Sequence, residues 1–225
     1  MGARVFVWLG GALFVLALAF CAWSYVVVMG RSAPVTGSTA LAIDAALLTL
    51  FALHHSLFAR ERVKDALGQL IPAALVRSCY VWIASALLIL VCALWRQIGS
   101  ELYAVRGVPA IALVAVQLVG LWIAARGAAW INPLELAGIR PPSESDGPQV
   151  TGPYHWVRHP LYLGWLLMVF GTPHMTGDRL AFAAITTGYL MVAIPWEERS
   201  LRRSFGETYA RYMRAVKWRM IPFIY

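Results

Sequence analysis

The sequence predicts an all-α, polytopic membrane protein with five to six transmembrane segments and an amphipathic helix towards its C-terminal end. Composition is the first reason. Of 225 residues, 60% are hydrophobic and 13% charged, with a mean hydropathy of +0.66, whereas soluble domains carry about 25% charged residues. The second reason is a series of apolar runs near the length of about 20 residues that a helix needs to cross a bilayer. The third is the placement of the cations, which separates the loops into a basic set and a poor one.

Residues 5–29 form the first run. It is too long for a signal-peptide core and no small-x-small cleavage site closes it, so it is expected to remain as the first helix. Runs at 40–59, 79–95 and 108–125 give three more spans. Two further runs, 161–175 and 180–195, are short for full crossings and are expected to pair as a hairpin. Beyond Pro195 the pattern changes. Trp196, Leu201, Phe205, Tyr209, Tyr212, Met213, Val216 and Met220 recur near helical spacing with arginines between them, the mark of an amphipathic helix that either lies on the membrane or caps a pocket.

The passage 132–149 is the one sizeable polar, Pro- and Gly-rich stretch. It divides the chain into a four-helix membrane region, 1–131, a cytoplasmic loop, 132–150, and a motif-bearing region, 151–225. With six crossings and an internal N-terminus, fifteen of the nineteen Lys and Arg fall on one side. The positive-inside rule then places both termini in the cytoplasm, with the bacterial inner membrane as the expected location. The net charge of +8 is thereby absorbed by topology and by attraction to anionic headgroups, so nucleic acid is not expected as a partner. Cys21, Cys79 and Cys92 lie in or beside apolar runs without paired spacing, which predicts neither a disulfide framework nor a thiolate metal site. The i, i+4 pair His155 and His159 precedes Pro160 and has no acid or cysteine nearby to complete a zinc set.

The richest chemistry sits in 152–164, GPYHWVRHPLYLG, followed some thirty residues later by Glu197 and Glu198. Ionisable groups where a span begins are expensive unless they bind something. Gly-Pro and His-Pro steps break regular helix there and shape a polar pocket at the mouth of an apolar segment. A juxtamembrane anchor is the plainer reading of His155 and Arg158, and a solvated helix start, favoured by the helix dipole, that of the two glutamates.

The pattern GPYxxVRHPxYxG, an apolar hairpin and then EERxLxxxFGxxYxxY resembles the C-terminal region of the isoprenylcysteine carboxyl methyltransferase and phospholipid N-methyltransferase superfamily. The resemblance implies a methyltransferase that uses S-adenosylmethionine at the cytoplasmic ends of its last helices. It assigns cofactor binding to Tyr154, Arg158, His159, Pro160, Tyr162, Gly164, Glu197 and Glu198. The residue types suit that ligand, since a guanidinium takes a carboxylate, carboxylates take an ammonium and ribose hydroxyls, and aromatic rings take an adenine face. As site groups and not core, Arg158 and Glu198 are expected to tolerate substitution without unfolding.

A second cluster, FALHHSLFAR at 51–60, puts two imidazoles and a hydroxyl at the end of the second span. Neighbouring helix positions point about 100° apart, so at most one of His54 and His55 faces the bundle squarely. Together with Pro72 and the run Arg77-Ser78-Cys79-Tyr80-Val81-Trp82, HHSLFARERVK is similar to bacterial methanethiol S-methyltransferases and NnrU-type membrane proteins. That narrower resemblance implies a small or lipid-soluble thiol as methyl acceptor, with His55, Glu198 and Arg203 as candidate catalytic participants. Methylation of a prenylcysteine carboxylate or an amino lipid is the alternative within the superfamily. A non-catalytic NnrU-like protein or a transporter is the alternative outside it, although no broken-helix repeat is evident. Asp44, an acid well inside an apolar run, is expected to hydrogen-bond a Ser, Thr or Trp of another helix.

Overall fold

The computed structural model describes residues 2–58, 60–140 and 147–225. The end of the second predicted span, Ala59, and the middle of the predicted loop, 141–146, lie outside them. Among the described residues the regular structure is helical apart from two short strands. Helix α1 (Gly2–Trp23) runs on into a π-helical turn at Ser24–Val28, and is followed by α2 (Ser38–Phe58), the short α3 (Glu61–Gly68) and α4 (Ala73–Leu94). Strand β1 (Glu101–Ala104), α5 (Val108–Ile131) and the one-turn α6 (Pro133–Leu136) come next. After a 3-10 turn at Gly152–His155 come α7 (Pro160–Phe170), β2 (His174–Thr176), which pairs with β1, and the long α8 (Gly177–Ala215). Among the described residues, α1, α2, α4, α5 and α8 are long and apolar enough to cross a membrane, and α7 is a shorter apolar helix. The protein is therefore an all-α integral membrane protein. Exposed Leu16, Val108, Ile111, Leu118 and Val192 have the character of lipid-facing surface.

The chain folds as two compact units. The first comprises Met1–Leu102, Pro133–Pro142 and Thr176–Ala181. Within it α4 packs against both α1 and α2. Trp82 stacks on Phe6 at 5.5 Å and donates its indole N–H to the Phe6 carbonyl at 3.1 Å. The chain leaving α4 is fixed by buried acids. Asp178 Oδ1 accepts hydrogen bonds from Trp95 Nε1 at 2.8 Å and the Ile98 amide at 2.9 Å, while Oδ2 takes the Gly99 amide at 3.0 Å. Asp44 Oδ1 accepts from the Arg96 amide at 2.9 Å. Its observed partner is thus a backbone N–H just past a helix end, a donor that no intrahelical bond could satisfy and that the sequence does not display. Arg179 donates to the Tyr25 and Val26 carbonyls, at 3.1 and 2.8 Å, in the π-helical turn.

The second unit comprises Tyr103–Asn132, Ser143–Met175 and Phe182–Tyr225. Its centre is the contact of α5 with α7, where Gly120 and Gly164 let the two backbones meet. A Cβ on Gly164 would lie 2.6 Å from the Gly120 carbonyl oxygen and 2.8 Å from the Ala124 amide nitrogen. On the α8 side, Trp165 Nε1 donates to Thr186 Oγ1 at 3.1 Å.

The last predicted span runs on helically past Pro195 into the first part of the amphipathic tail. Pro195 does not end it, because a proline inside a membrane helix forfeits a hydrogen bond but does not force the chain out of the apolar phase. The interruption comes at Gly206 (φ 52°, ψ −128°), a left-handed backbone that glycine adopts at little steric cost. Beyond it, Tyr209, Tyr212 and Val216 bury against Tyr154, with Leu201, Phe205, Met213, Ile131 and Leu161 around them. The apolar face therefore covers protein, which settles the choice left open by the pattern in favour of a cap over the 152–164 segment.

Candidate active site

The His-Pro step that breaks the chain before α7 leaves Pro160 at the first helical position, where its fixed φ suits a helix start and no amide donor is needed. It leaves the amides of Arg158 and His159 free to pair elsewhere. They donate to the Trp218 and Arg219 carbonyls at 2.9 and 2.8 Å, so the residues after α8 are laid alongside the Arg-His-Pro segment.

Side chains consolidate this pairing. Arg158 Nε donates to Glu198 Oε1 at 2.6 Å, and its Nη1 to the Val216 and Lys217 carbonyls at 2.6 and 2.8 Å. Arg219 Nε meets the other oxygen, Glu198 Oε2, at 3.2 Å, and His159 Nε2 lies 3.4 Å from Oε1. Both the Arg158 and Glu198 side chains are 5% exposed. Glu198 is thus a buried carboxylate between two guanidiniums and an imidazole, which is how a buried charge becomes tolerable. The first influence on Arg219 is desolvation, which lowers its pKa, but the charge of Glu198 and the phenol of Tyr225 outweigh it and hold the guanidinium above its ordinary value.

Glu197 differs from its neighbour. Its side chain is 43% exposed, accepts a hydrogen bond from Tyr162 OH at 2.8 Å and lies 3.6 Å from His159 Nδ1. The His159 and Tyr162 rings stack almost parallel, 5.3 Å apart with 2° between planes. The result is an outward-facing carboxylate on a fixed aromatic support. Close by in the chain, a cleft of about 460 Å³ is lined by His155, Trp156, Val216, Lys217, Trp218 and Phe223. Tyr154 is buried under the cap, its carbonyl accepting from Tyr212 OH at 2.7 Å. Burial first, then the charge of Glu197, pushes the Tyr154 phenol above its usual range.

The structure thus brings Arg158, His159, Tyr162, Glu197 and Glu198 into one network and puts Tyr154 and Pro160 in its frame. It spends Gly164 on the α5–α7 contact, while Arg203 is exposed on α8. Arg158 and Glu198 are core as well as candidate site, contrary to the expectation that they tolerate substitution, because the carbonyls of 216–217 need a buried donor. Arg219 and Tyr225 were missed by the sequence reading. The one available signal was a cation, Arg219, that falls outside the helical spacing just before Pro222.

The second cluster lies in the first unit. His55 Nδ1 and Tyr80 OH are 2.5 Å apart. His54 is buried, stacked on Tyr80 at 5.5 Å and tilted against Phe58 at 4.5 Å.

A phospholipid methyltransferase family model matches residues 141–208, the stretch that holds the Arg-His-Pro segment and both glutamates. Methanethiol S-methyltransferase 2 of Bradyrhizobium diazoefficiens is 36% identical over 191 residues, covering 81% of this chain and 74% of that one. The chain belongs to the family of the bacterial methanethiol S-methyltransferases. Methanethiol S-methyltransferase of Crocosphaera subtropica is 38% identical to this methyltransferase over 198 residues, 83% of the chain and 76% of its own. Protein-S-isoprenylcysteine O-methyltransferase B of Arabidopsis thaliana is 34% identical over 76 residues, 32% of this chain and 38% of that one. No solved structure matches the chain. This methyltransferase is therefore a membrane enzyme that takes its methyl group from a donor.

Proposed function

We propose that the enzyme transfers a methyl group from S-adenosylmethionine to a small or lipophilic thiol, with methanethiol the first candidate. The observation that carries this reading is the identity, above one third and spread over most of the chain, to enzymes named for methanethiol S-methylation. Likeness to the isoprenylcysteine enzyme covers less than two fifths of either chain.

The residues present fit the donor. Glu197 offers a half-exposed carboxylate for an ammonium or ribose hydroxyls, and Tyr162 and His159 hold it in place. Trp156, Trp218 and Phe223 line the nearby cleft with aromatic surface for an adenine, and Lys217 adds a cation for a carboxylate. Glu198 and Arg158 act by fixing the 216–219 segment, with Tyr154, Pro160 and Gly164 setting the frame. When bound, the donor supplies an electrophilic methyl on a sulfonium sulfur. The protein's own part is to orient the acceptor, exclude water and take the thiol proton, since the thiolate is the nucleophile. We assign proton acceptance to His55, with Arg203 and Glu198 as further participants. Both termini are taken to face the cytoplasm of a bacterial inner membrane, where soluble donor is available, with region 151–225 as the donor-binding part.

The test is a headspace assay on purified enzyme in detergent with methanethiol and donor. Dimethyl sulfide should accumulate. Enzyme that binds donor but methylates only a prenylcysteine carboxylate or an amino lipid would overturn the thiol assignment and leave the family intact.

A further inference from the structure

Cys21 and Cys92 stand far apart in the sequence, and the fold of the first unit puts them on one seam. Small residues on α1 let α4 approach closely: a Cβ on Gly10 would lie 2.7 Å from Trp82 Nε1, and Ala17 is fully buried. Cys21 comes eleven residues after Gly10 on α1, and Cys92 ten residues after Trp82 on α4. Each step is about three turns of an α-helix, so helices that meet at Gly10 and Trp82 and run side by side meet again at the two cysteines. Both cysteines are buried, and their side chains are hydrogen-bonded to each other. The chain just beyond them is already tied together, since Trp95 donates to Asp178 while the neighbouring Arg179 holds the carbonyls of the π-helical turn that follows α1. Cys79 lies thirteen residues before Cys92 on the same helix, about 20 Å along it, and does not reach this pair.

We propose that Cys21 and Cys92 are a redox modification site: a lipid-soluble quinone from the membrane oxidises them to a reversible disulfide that welds α1 to α4. Two thiols already in contact, on helices whose ends are held, need little backbone movement to become bonded. The step balances. Two S–H bonds give up two protons and two electrons, one S–S bond forms, and the quinone leaves as its hydroquinone. The class of oxidant follows from the location, because both cysteines lie in helices apolar enough to cross a membrane, where a charged, water-soluble disulfide does not partition. The attacking sulfur must first lose its proton. Cys92 is two residues from the end of α4, so the pair lies within a turn of the end of that span, where water is near enough to carry the protons away. The cross-link closes a long loop that contains α2 and α3, and long loops are where a disulfide most constrains the unfolded chain.

The test uses the full chain in lipid nanodiscs with decylubiquinone as oxidant, and its readouts do not depend on which acceptor is methylated. Thiols titrated after denaturation should fall from three per chain to one, and peptide mapping without reduction should find Cys21 joined to Cys92. Oxidised glutathione at the same concentration should act far more slowly. The oxidised enzyme should melt at a higher temperature than the reduced one, and dithiothreitol should restore both the thiol count and the melting midpoint. Cys21→Ser and Cys92→Ser should each keep two titratable thiols before and after quinone, whereas Cys79→Ser should fall from two to none. Three thiols left on the folded parent after quinone, a cross-link through Cys79, or an oxidised enzyme that melts below the reduced one overturns the site. Equal rates with quinone and oxidised glutathione overturn the membrane as the source of the oxidant.

Discussion

Glu198 and Arg158, forty residues apart in the chain, share a 2.6 Å hydrogen bond at which both side chains are 5% exposed. The same guanidinium holds the carbonyls of Val216 and Lys217, and the same carboxylate holds Arg219. A pair placed in this way ties the segment before α7 to α8 and to the chain that follows it.

Substituting either member should first be felt as lost stability. Arg158→Ala leaves a buried carboxylate with one fewer partner and strands two carbonyls, and removing one member of a buried pair costs about 3 to 5 kcal/mol. We expect a large fall in the unfolding midpoint in detergent. Glu198→Gln keeps the shape and one acceptor oxygen, while its amide NH2 replaces an acceptor that faces a guanidinium, and it should fall less than Arg158→Ala. Parental melting of Arg158→Ala would show that the network does not hold the tail.

Glu197→Gln should behave in the opposite way. The half-exposed carboxylate touches Tyr162 and His159 at the surface of the network, so the melting midpoint should stay near the parent. Affinity for S-adenosylmethionine and S-adenosylhomocysteine should drop about ten- to a hundredfold, as for a lost charge-assisted hydrogen bond of about 1.5 to 3 kcal/mol. Calorimetry on the two variants separates donor binding from scaffold, and unchanged affinity in Glu197→Gln would remove that residue from the site.

Alkaline pH should destabilise the enzyme partly through Tyr154. Its phenol is pushed up in the folded protein by burial and by Glu197, whereas in the unfolded chain it ionises near pH 10. The folded state binds that proton more tightly, so its contribution is complete below about pH 10 and declines as pH rises further. Melting curves from pH 8 to 11 should show a steeper loss for the parent than for Tyr154→Phe. Identical slopes would rule out the effect.

Gly164→Ala should disturb the α5–α7 contact. A methyl group 2.6 Å from a backbone oxygen cannot be absorbed by a side-chain rotation, and overpacking of this kind costs about 1 to 3 kcal/mol. Gly188→Ala, with open space around its Cβ, is the control and should melt like the parent.

Much of this was legible in the sequence because hydropathy reports burial in lipid directly. The runs at 5–29, 40–59, 79–95 and 108–125 each became a long helix, and the Arg-His-Pro and Glu-Glu elements did come together. Composition is silent on backbone partners. Besides the Trp95 indole on Asp178 and Glu198 on Arg158, the donors to Asp44 and Asp178 are main-chain amides just past the end of α4 and the acceptors of Arg158 are carbonyls beyond α8, so no residue type marks those partners. Periodicity carried through Pro195 but did not mark the break at Gly206, since one glycine in a helical pattern does not reveal its φ. The different fates of Glu197 and Glu198 follow from a 100° turn of α8, which spacing predicts in kind while leaving open which of the two faces inward.

Helix α7 has eleven residues and so rises about 16 Å, roughly half the hydrocarbon thickness of a bilayer. Its two ends cannot both reach a headgroup layer. If one end sits at the membrane surface, the other stops near the midplane, where the turn leading to β2 must find its hydrogen bonds inside the protein. The Thr172 carbonyl, which accepts from Tyr103 OH, and the Pro173 carbonyl, which accepts from the Val105 amide, meet that need. A helix of this length favours a thin membrane beside it, so the lipid chain length around the enzyme should influence how well this half of the protein is seated in the bilayer.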